Sequence, residues 1–216
     1  METIIIRNET PADYRRVEEL TREAFWNKHV PGCGEHYLVH EMRRHPDFIP
    51  QLDLVLEREG EIIAAVQYTR ATLVDENGCE LPVLTFGPLS VLPAFQRQGY
   101  SKRLLERSFE IAQRLDYPAI VIFGDPDNYV ARGFRCCKTM GVCLLPGVYP
   151  TALLVKELTP GALTGRQWQY RESPVCGVCE DEQAVAAFDA AFPPREKGWQ
   201  PSQEAFYIQS HSQVVL

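Results

Sequence analysis

The residues best suited to chemistry run from Gln96 to Lys102, where a predicted strand gives way to a predicted helix. The first backbone N–H groups of a helix have no intrahelical acceptor, and the helix dipole adds about half a positive charge there. Gly99 lets an anion approach the backbone without meeting a Cβ, and Arg97 and Lys102 add side-chain charge. The segment predicts a diphosphate-binding turn, although Gly99 alone favours an ordinary strand-to-helix turn.

Two other groups of residues have spacings that could bind a metal. His36 and His40 lie four residues apart on a predicted helix beside Glu41, without the residue order typical of a zinc protease. Cys176 and Cys179 form a C-x-x-C pair with no second pair after it. We interpret the histidines as solvated or substrate-lining residues and the cysteines as reduced thiols, so we expect no metal site.

The elements that must position these residues follow from hydrophobic periodicity and turn signals. Predicted strands cover residues 3–7, 52–59, 62–74, 81–91, 119–123, 142–145, 151–158 and 167–171. Predicted helices cover residues 10–26, 35–44, 103–115 and 182–192, and a polar tail that contains prolines follows. The strand, helix and strand between 81 and 123 should form a right-handed crossover between parallel strands. Pro146-Gly147 is expected to close a hairpin between 142–145 and 151–158.

Length and composition indicate one folded domain with appendages. The chain has 216 residues, of which 45% are hydrophobic and 24% are charged. A formal charge of −7 disfavours nucleic acid as a partner and weakly favours a cationic one. Neither a signal peptide nor a membrane span is visible, and the seven scattered cysteines suit reduced thiols. We therefore expect a cytoplasmic protein that does not bind membranes.

Two segments carry a resemblance to a known family. Val91-Leu92-Pro93-Ala94-Phe95-Gln96-Arg97-Gln98-Gly99-Tyr100-Ser101 comes first, and Tyr129-Val130-Ala131-Arg132-Gly133-Phe134 follows downstream. The first resembles the acetyl-CoA motif of the GNAT acetyltransferase superfamily, Val-x-Pro followed by Gln/Arg-x-x-Gly-x-Gly/Ala. The second is similar to that family's Tyr-x-x-x-Gly-Phe region. Ser101 departs from the pattern, because the family usually has Gly or Ala at this position.

The resemblance implies the fold class and the domain organisation. We expect an α/β (α+β) fold with a mixed, mostly antiparallel central sheet flanked by helices, in which strands four and five are parallel and splay apart. Residues 1–158 would form the acetyltransferase domain, and residues 159–216 a C-terminal extension packed on the same domain. The whole chain resembles a bacterial group of uncharacterised acetyltransferases in which this extension recurs.

The resemblance also implies the cofactor and its binding residues. Acetyl-CoA would be the cosubstrate, with its pantetheine arm along strand four and its diphosphate at the start of the next helix. Pro88 lacks an N–H and is consistent with a ladder that ends or bulges there. The expected cofactor-binding residues are Leu89, Ser90, Val91, Gln96, Arg97, Gln98, Gly99, Tyr100, Ser101, Lys102 and Asn128.

The resemblance implies one catalytic residue and leaves a second open. Tyr129 would protonate the departing thiolate, since a phenol with a pKa near 10 is protonated at neutral pH. The general base is unassigned, because residues 83–91 contain no carboxylate and Glu80 lies well before the cleft end of the strand. Asp125 is the candidate at the right end of strand five, although Gly-Asp-Pro also suits an ordinary turn. His36, Glu35, a water chain and the terminal carboxylate of Leu216 are the other candidates.

These inferences predict an N-acetyltransferase that transfers acetyl directly to an amine of a small molecule or peptide. Direct transfer needs no cysteine, although Cys33 suggests a covalent alternative. The rival interpretation is a non-catalytic module of the same fold that binds CoA or a partner. Trp168 and Trp199 of the extension would then cover the acceptor cleft. The expected partners are acetyl-CoA and an amine acceptor, and association as a homodimer stays open.

Overall fold

A computed structural model describes residues 2–215. Nine strands form one sheet: β1 (Ile4–Asn8), β2 (Leu54–Arg58), β3 (Glu61–Asp75), β4 (Glu80–Val91), β5 (Ala119–Phe123), β6 (Arg135–Cys136), β7 (Val142–Cys143), β8 (Leu153–Glu157) and β9 (Trp168–Arg171). Six helices accompany it: α1 (Tyr14–Phe25), α2 (Glu35–Met42), α3 (Tyr100–Arg114), α4 (Pro126–Tyr129), α5 (Glu182–Asp189) and α6 (Pro201–His211). Most predicted elements are therefore present within a few residues of their expected bounds.

The sheet is mixed and mostly antiparallel, as the resemblance implied. Its main strand order is β1-β2-β3-β4-β5-β8-β6, and β9 pairs with both β3 and β7. β4 and β5 run parallel, with α3 as the crossover between them. Only such a long connection allows two neighbouring strands to run in the same direction.

β4 departs from regular pairing at Gly87-Pro88. Val66 of β3 lies opposite Leu89, whereas Tyr68 lies opposite Phe86, so β4 contains one extra residue between the two pairs. This β-bulge confirms the irregularity expected from Pro88. A bulge bends the strand and increases its local twist.

β4 and β5 separate after a short paired region. Within the described chain they pair at Leu84 and Ile120, and β4 continues to Val91 without β5 beside it. A Cβ added to Gly87 would meet no atom within 4 Å, which shows open space at the bulge. The expected splay is therefore present and exposes one edge of β4.

Helices cover both faces of the sheet. The Tyr68 hydroxyl lies 2.6 Å from Ser108 Oγ, which places α3 on one face. The Ser90 hydroxyl donates to Thr21 Oγ1 of α1 at 3.0 Å. Ser90 pairs with Ala65, and because successive side chains of a strand alternate, Ala65 faces away from Tyr68. α1 therefore packs on the face opposite α3.

Two buried apolar clusters stabilise this arrangement. The larger cluster joins α1, α2 and α3 to β2, β3 and β4. The smaller lies on the α1 face near the far end of β3, and it includes Val142 of β7 and Tyr170 of β9. The residues that follow 158 therefore contribute directly to a core of the sheet.

The predicted hairpin between 142–145 and 151–158 is wrong. The turn forms, with an isolated bridge between Leu145 and Val148. β7 pairs with β9, however, while β8 pairs with β5 and β6. The apolar side chains Leu153 and Val155 are fully buried, which a central position next to β5 allows and an outer hairpin would not.

The polar tail contains a helix that periodicity did not predict. α6 buries only Gln203, so its sequence has no apolar stripe. Gln203 Nε2 donates to the carbonyl oxygen of Asn27 at 3.0 Å, and Ser202 Oγ donates to that of Lys28 at 2.8 Å. Polar contacts with the loop after α1 therefore fix this helix. Across residues 2–215, we find no helix with the length and apolar character needed to span a bilayer.

Candidate functional site

Backbone N–H groups converge in the turn before α3. Arg97 and Gly99 have positive φ angles of 59° and 87°, and Gly99 is the N-cap of the helix. In the part of the chain that the structure describes, the N–H groups of residues 97–102 donate to no acceptor. Such a row at a helix N-terminus binds anions. The turn has the geometry that the sequence predicted.

Side chains of the turn brace it from both sides. Gln96 Nε2 donates to the Val91 carbonyl oxygen at 3.0 Å, and Gln98 Nε2 donates to that of Ala94 at 2.9 Å. The Tyr100 side chain is buried, and its hydroxyl lies 3.2 Å from Glu2 Oε1. These predicted binding residues therefore shape the turn with their side chains and offer only backbone groups to a ligand.

Arg132 is a charged residue at this site that the sequence prediction missed. Its Nη2 lies 3.4 Å from Ser101 Oγ, and its Nη1 donates to the Asn128 carbonyl oxygen. Its Nε is buried without a partner among the described residues. The signal was present, since Arg132 lies inside the second motif. The guanidinium adds positive charge beside the N-terminus of α3, whereas Lys102 points to solvent near Glu106.

The free edge of β4 presents backbone groups to the splay. The Leu92 N–H donates to the Ile63 carbonyl oxygen of β3 at 2.9 Å. Hydrogen-bonding direction alternates along a strand, so Ser90 also points toward β3, while Leu89 and Val91 point away from it. Ser90 directs its side chain to Thr21 and is fully buried. Leu89 and Val91 are thus the two residues of β4 with backbone groups at the open edge.

Tyr129 lies beside Phe86 of β4, next to the bulge at Gly87-Pro88. Its ring packs against Phe86 and Phe134, with ring centroids 5.7 Å apart in both pairs. A Cβ on Gly124 would come within 2.6 Å of the Tyr129 ring, so only glycine fits beside it. Burial raises the pKa of Tyr129 to about 12, which keeps the phenol protonated at neutral pH.

Asp125 and Asn128 form the cap of the short helix that carries Tyr129. The Asp125 carboxylate accepts from the Asp127 N–H at 3.0 Å and from Asn128 Nδ2 at 3.3 Å. Both carboxylate oxygens thus accept hydrogen bonds from residues of the turn, as expected for an N-cap aspartate. The carboxylate faces solvent beside Tyr129 and fixes where α4 begins.

The other candidate bases are held in structural contacts. The Glu35 carboxylate lies 3.0 Å from His29 Nδ1. His36 is fully buried with Nε2 3.0 Å from Asp189 Oδ1, and burial lowers its pKa. Leu216 lies outside the described residues. The His36 imidazole is therefore a neutral core group away from solvent.

Cys33 is buried beside His36, with Sγ 3.4 Å from Nδ1. Burial raises the pKa of the Cys33 thiol, which disfavours the thiolate that a covalent mechanism needs. All seven cysteines are free thiols. Between residues 2 and 215, we find no group of three or more His, Cys, Asp or Glu side chains that could hold a metal ion.

Comparisons with known proteins show the family and the fold of this chain. The family model described as the acetyltransferase (GNAT) family matches residues 16–135. A GNAT family N-acetyltransferase from Escherichia coli, solved in complex with CoA, is 25% identical with a TM-score of 0.70, and the match covers 82% of this chain and 93% of that chain. No curated protein matches this chain at a significant level.

A second solved structure shows the same fold. A GNAT family acetyltransferase from Brucella melitensis, solved in complex with acetyl-CoA, is 20% identical with a TM-score of 0.62, and the match covers 81% of this chain and 98% of that chain. The family match spans the anion-binding turn, both parallel strands and Tyr129. This chain belongs to the GNAT acetyltransferase family.

Proposed function

We propose that this chain is an acetyl-CoA-dependent N-acetyltransferase that transfers the acetyl group directly to an amine in a ternary complex. The observation that carries the proposal is the row of unpartnered N–H groups at residues 97–102, next to the open edge of β4. A diphosphate bound to these N–H groups and a pantetheine arm along the edge of β4 would follow one continuous path. The CoA bound to the Escherichia coli relative supports the same ligand here.

The proposed contacts divide by part of the cofactor. The N–H groups of residues 97–102 hold the diphosphate, with charge from Arg97, Lys102 and Arg132. The backbone of Leu89 and Val91 bonds the pantetheine amides in the manner of an added strand. Gln96, Gln98, Tyr100, Ser101 and Asn128 line or brace this path, and Ser90 anchors β4 behind it.

Tyr129 is the proposed general acid. When the tetrahedral intermediate collapses, the carbon–sulfur bond breaks and the thiolate of CoA needs a proton. A thiol with a pKa near 8.5 is less acidic than carboxylic acids but more acidic than a phenol. The phenol is protonated at neutral pH and donates its proton to the developing thiolate, and a proton released by the attacking amine replaces it, so the net transfer runs from the amine to the thiolate. We propose that Asp125 contributes by capping α4 and thereby fixing the position of Tyr129.

The proposed domain organisation assigns residues 1–158 to the acetyltransferase domain and residues 159–216 to an extension on the same domain. Pairing of β9 with β3 over residues 72–75 supports the placement of the extension on the same domain, because it makes the extension part of the central sheet. The buried contact between Arg22 of α1 and Asp189 of α5 supports it as well.

Two measurements test the proposed function. CoA should raise the melting temperature of the wild-type protein in a concentration-dependent way, since it binds only the folded state. Acetyl-CoA and a panel of amines should then give steady-state thiol release. CoA binding without thiol release for any amine would contradict the enzymatic proposal and support the rival CoA-binding module.

A further inference from the structure

Large apolar side chains are exposed at the end of the sheet where β4 and β5 separate. They include Val30 in the loop after α1, Phe123 at the end of β5, Val130 after Tyr129, and Tyr207 of α6. Single exposed apolar residues are ordinary, but a concentration of them in one region is typical of a binding surface. The proposed path of the pantetheine arm along β4 leads to this same end.

α6 is attached to the rest of the molecule at its two ends. Near its N-terminus, Ser202 Oγ and Gln203 Nε2 donate to carbonyl oxygens of the loop after α1. At its C-terminus, Thr151 Oγ1 donates to the Gln209 carbonyl oxygen at 3.1 Å, and the Thr151 N–H donates to that of Ser212 at 3.0 Å. α6 therefore runs from the loop after α1 to the segment that precedes β8.

Both attachment points lie beside the splay. Thr21 contacts Ser90 of β4 about one turn before α1 ends, so the loop after α1 lies close to the bulge of β4. β8 begins beside the end of β5, because Leu153 pairs with Phe123. α6 thus crosses the α1 face of the sheet in the region where the two parallel strands separate.

The middle of α6 does not pack on the sheet. Residues four apart lie on the same face of a helix, so Tyr207 points in the direction of Gln203, toward the body of the protein. Gln203 is 8% exposed, whereas Tyr207 is 59% exposed. Ile208, five positions after Gln203, points to the opposite side of α6. Space is therefore open beneath the middle of the helix, beside Tyr207.

Phe123 is the aromatic residue of the sheet in this region. Its side chain lies on the α1 face, because Val121, two residues earlier, belongs to the smaller buried cluster on that face. Phe123 is nevertheless 45% exposed. Two aromatic side chains are thus accessible on the α1 face at the splay, one at the end of β5 and one on the helix that crosses the sheet.

Carboxylates follow β5 closely. Asp125 and Asp127 come two and four residues after Phe123, and both are exposed. The chain as a whole has a formal charge of −7. Negative charge favours a cation, and exposed aromatic rings favour an apolar or aromatic group. An amine carried on an apolar body combines these two properties.

We propose that the acceptor is a primary amine with an aromatic or other apolar body, and that this body binds between Tyr207 of α6 and Phe123 of β5. This inference rests on the proposed function and deepens it by naming the class of acceptor. The amine reaches the splay from the α1 face, while CoA follows the edge of β4. A second copy of the chain is a poorer occupant, because Tyr207 faces inward beneath α6 and a stable dimer needs a broad outer surface.

The choice of amine tests the class of acceptor. Steady-state thiol release by the wild-type protein should give a kcat/KM about 50-fold higher for phenethylamine than for ethanolamine, because only the first buries a phenyl ring. Hexylamine should resemble phenethylamine. A lysyl peptide, whose amine is carried on a polar chain, should resemble ethanolamine.

Tyr207→Ser tests the site. It should raise KM for phenethylamine about tenfold, since part of the apolar contact is lost, and leave kcat and the kinetics with ethanolamine unchanged. Phe123→Ser should raise KM in the same way. Ile208→Ser is the matched control, because it removes an equally exposed apolar side chain from the opposite side of α6. Serine has a helix propensity close to those of tyrosine and isoleucine, so α6 should persist in both of its variants.

A binding measurement checks the site without turnover. Calorimetry on the CoA-loaded protein, in which no acetyl group is present to react, should detect binding of phenethylamine. Tyr207→Ser should weaken this binding about tenfold, and Ile208→Ser should leave it unchanged. Urea denaturation of all three variants shows whether each is folded under the conditions of the assay.

The outcomes separate this inference from the function on which it rests. Thiol release with equal kcat/KM for phenethylamine and ethanolamine, or with equal KM values in Tyr207→Ser and Ile208→Ser, would overturn the acceptor site and leave the N-acetyltransferase proposal intact. Absence of thiol release for every amine, despite CoA binding, would overturn both. A wild-type dimer in sedimentation that Tyr207→Ser converts to a monomer, without a change in KM, would assign this surface to a second copy of the chain instead.

Discussion

At the scale of one residue, packing fixes the position of Tyr129, the proposed general acid. Its ring is fixed by Phe86, Phe134 and the missing side chain of Gly124. Burial of the ring raises the pKa of the phenol to about 12, so it does not lose its proton at neutral pH. A residue that is both immobile and protonated is suited to act as a general acid.

We predict that Tyr129→Phe lowers kcat about 100-fold while leaving the affinity for CoA unchanged, because only the hydroxyl is removed. Steady-state thiol release and the CoA-induced shift in melting temperature measure the two effects. Tyr117→Phe is the matched control, since Tyr117 precedes β5 at its opposite end. Full activity of Tyr129→Phe would exclude Tyr129 as the acid.

At the scale of elements, the junction of β4 with α3 is where we propose that CoA binds. The bulge at Gly87-Pro88 directs β4 away from β5, and the turn at residues 96–99 then starts α3 with its N–H groups exposed. Neither element forms the site by itself. The strand provides an open edge, and the helix provides the positive end of its dipole.

Gly99→Ala tests the turn. Gly99 has a φ of +87°, and its Cβ position meets no atom within 4 Å, so alanine would strain the backbone by about 1–2 kcal/mol. We expect the affinity for CoA, measured by calorimetry, to fall about tenfold, the equivalent of one charge-assisted hydrogen bond.

Gly78→Ala is the matched control for this variant. Gly78 has a φ of +81° in the turn between β3 and β4, and its Cβ position is equally free. Both variants should therefore lose similar stability to urea, and only Gly99→Ala should lose affinity for CoA. Equal CoA affinities for the two variants would show that the turn at Gly99 does not bind the diphosphate.

At the scale of the whole molecule, the C-terminal extension is attached to the central sheet. β9 pairs with β3, and Asp189 of α5 accepts two hydrogen bonds from Arg22, at 2.6 and 3.2 Å. Arg22 is buried, and its guanidinium also lies over the Trp26 ring at 4.3 Å. The hydrogen bonds and charge of Arg22 hold the pKa of Asp189 below its usual value despite the opposing effect of burial.

We predict that Asp189→Asn lowers the free energy of unfolding by about 3 kcal/mol, because it leaves the buried Arg22 without its counter-charge. Urea denaturation measures the loss. Glu19→Gln is the control, since the pair of Glu19 with Arg15 is solvent-exposed and worth at most about 1 kcal/mol. A loss no larger than that of the control would show that Asp189 does not anchor the extension.

A second buried network makes stability depend on pH. Burial of Asp53, together with its neighbour Glu9, raises the pKa of the Asp53 carboxyl to about 8. Its proton is therefore bound more tightly in the folded state than in the unfolded one. This contribution to stability is complete below the usual aspartate pKa and is lost as pH rises through 8.

The free energy of unfolding should consequently fall between pH 5 and pH 9, and Asp53→Asn should make this dependence shallower. Urea denaturation at several pH values measures it, with Glu19→Gln as a variant that changes a carboxylate at the surface. An equally steep dependence in Asp53→Asn would assign the pH effect to other groups.

The sequence by itself determined the features that depend on neighbours along the chain. Gly99 and the motif around it predicted the anion-binding turn, and hydrophobic periodicity predicted most strands and helices. The Pro146-Gly147 turn was also correctly placed, since turn formation is local. The family resemblance added the parallel splayed strands and Tyr129. The predicted strands, helices and turn conformation are present because backbone conformation, helix capping and amphipathic spacing are properties of short segments. Anion binding at the turn and the role of Tyr129 stay predictions.

Only the tertiary structure decided which distant residues meet. β8 pairs with β5 instead of β7, because its buried side chains need a central position in the sheet. α6 forms without an apolar stripe, because polar contacts with the loop after α1 hold it. Arg132 beside Ser101, and Arg22 beside Asp189, join residues far apart in the chain. No local pattern encodes such pairs, since they depend on how the strands are ordered in the sheet.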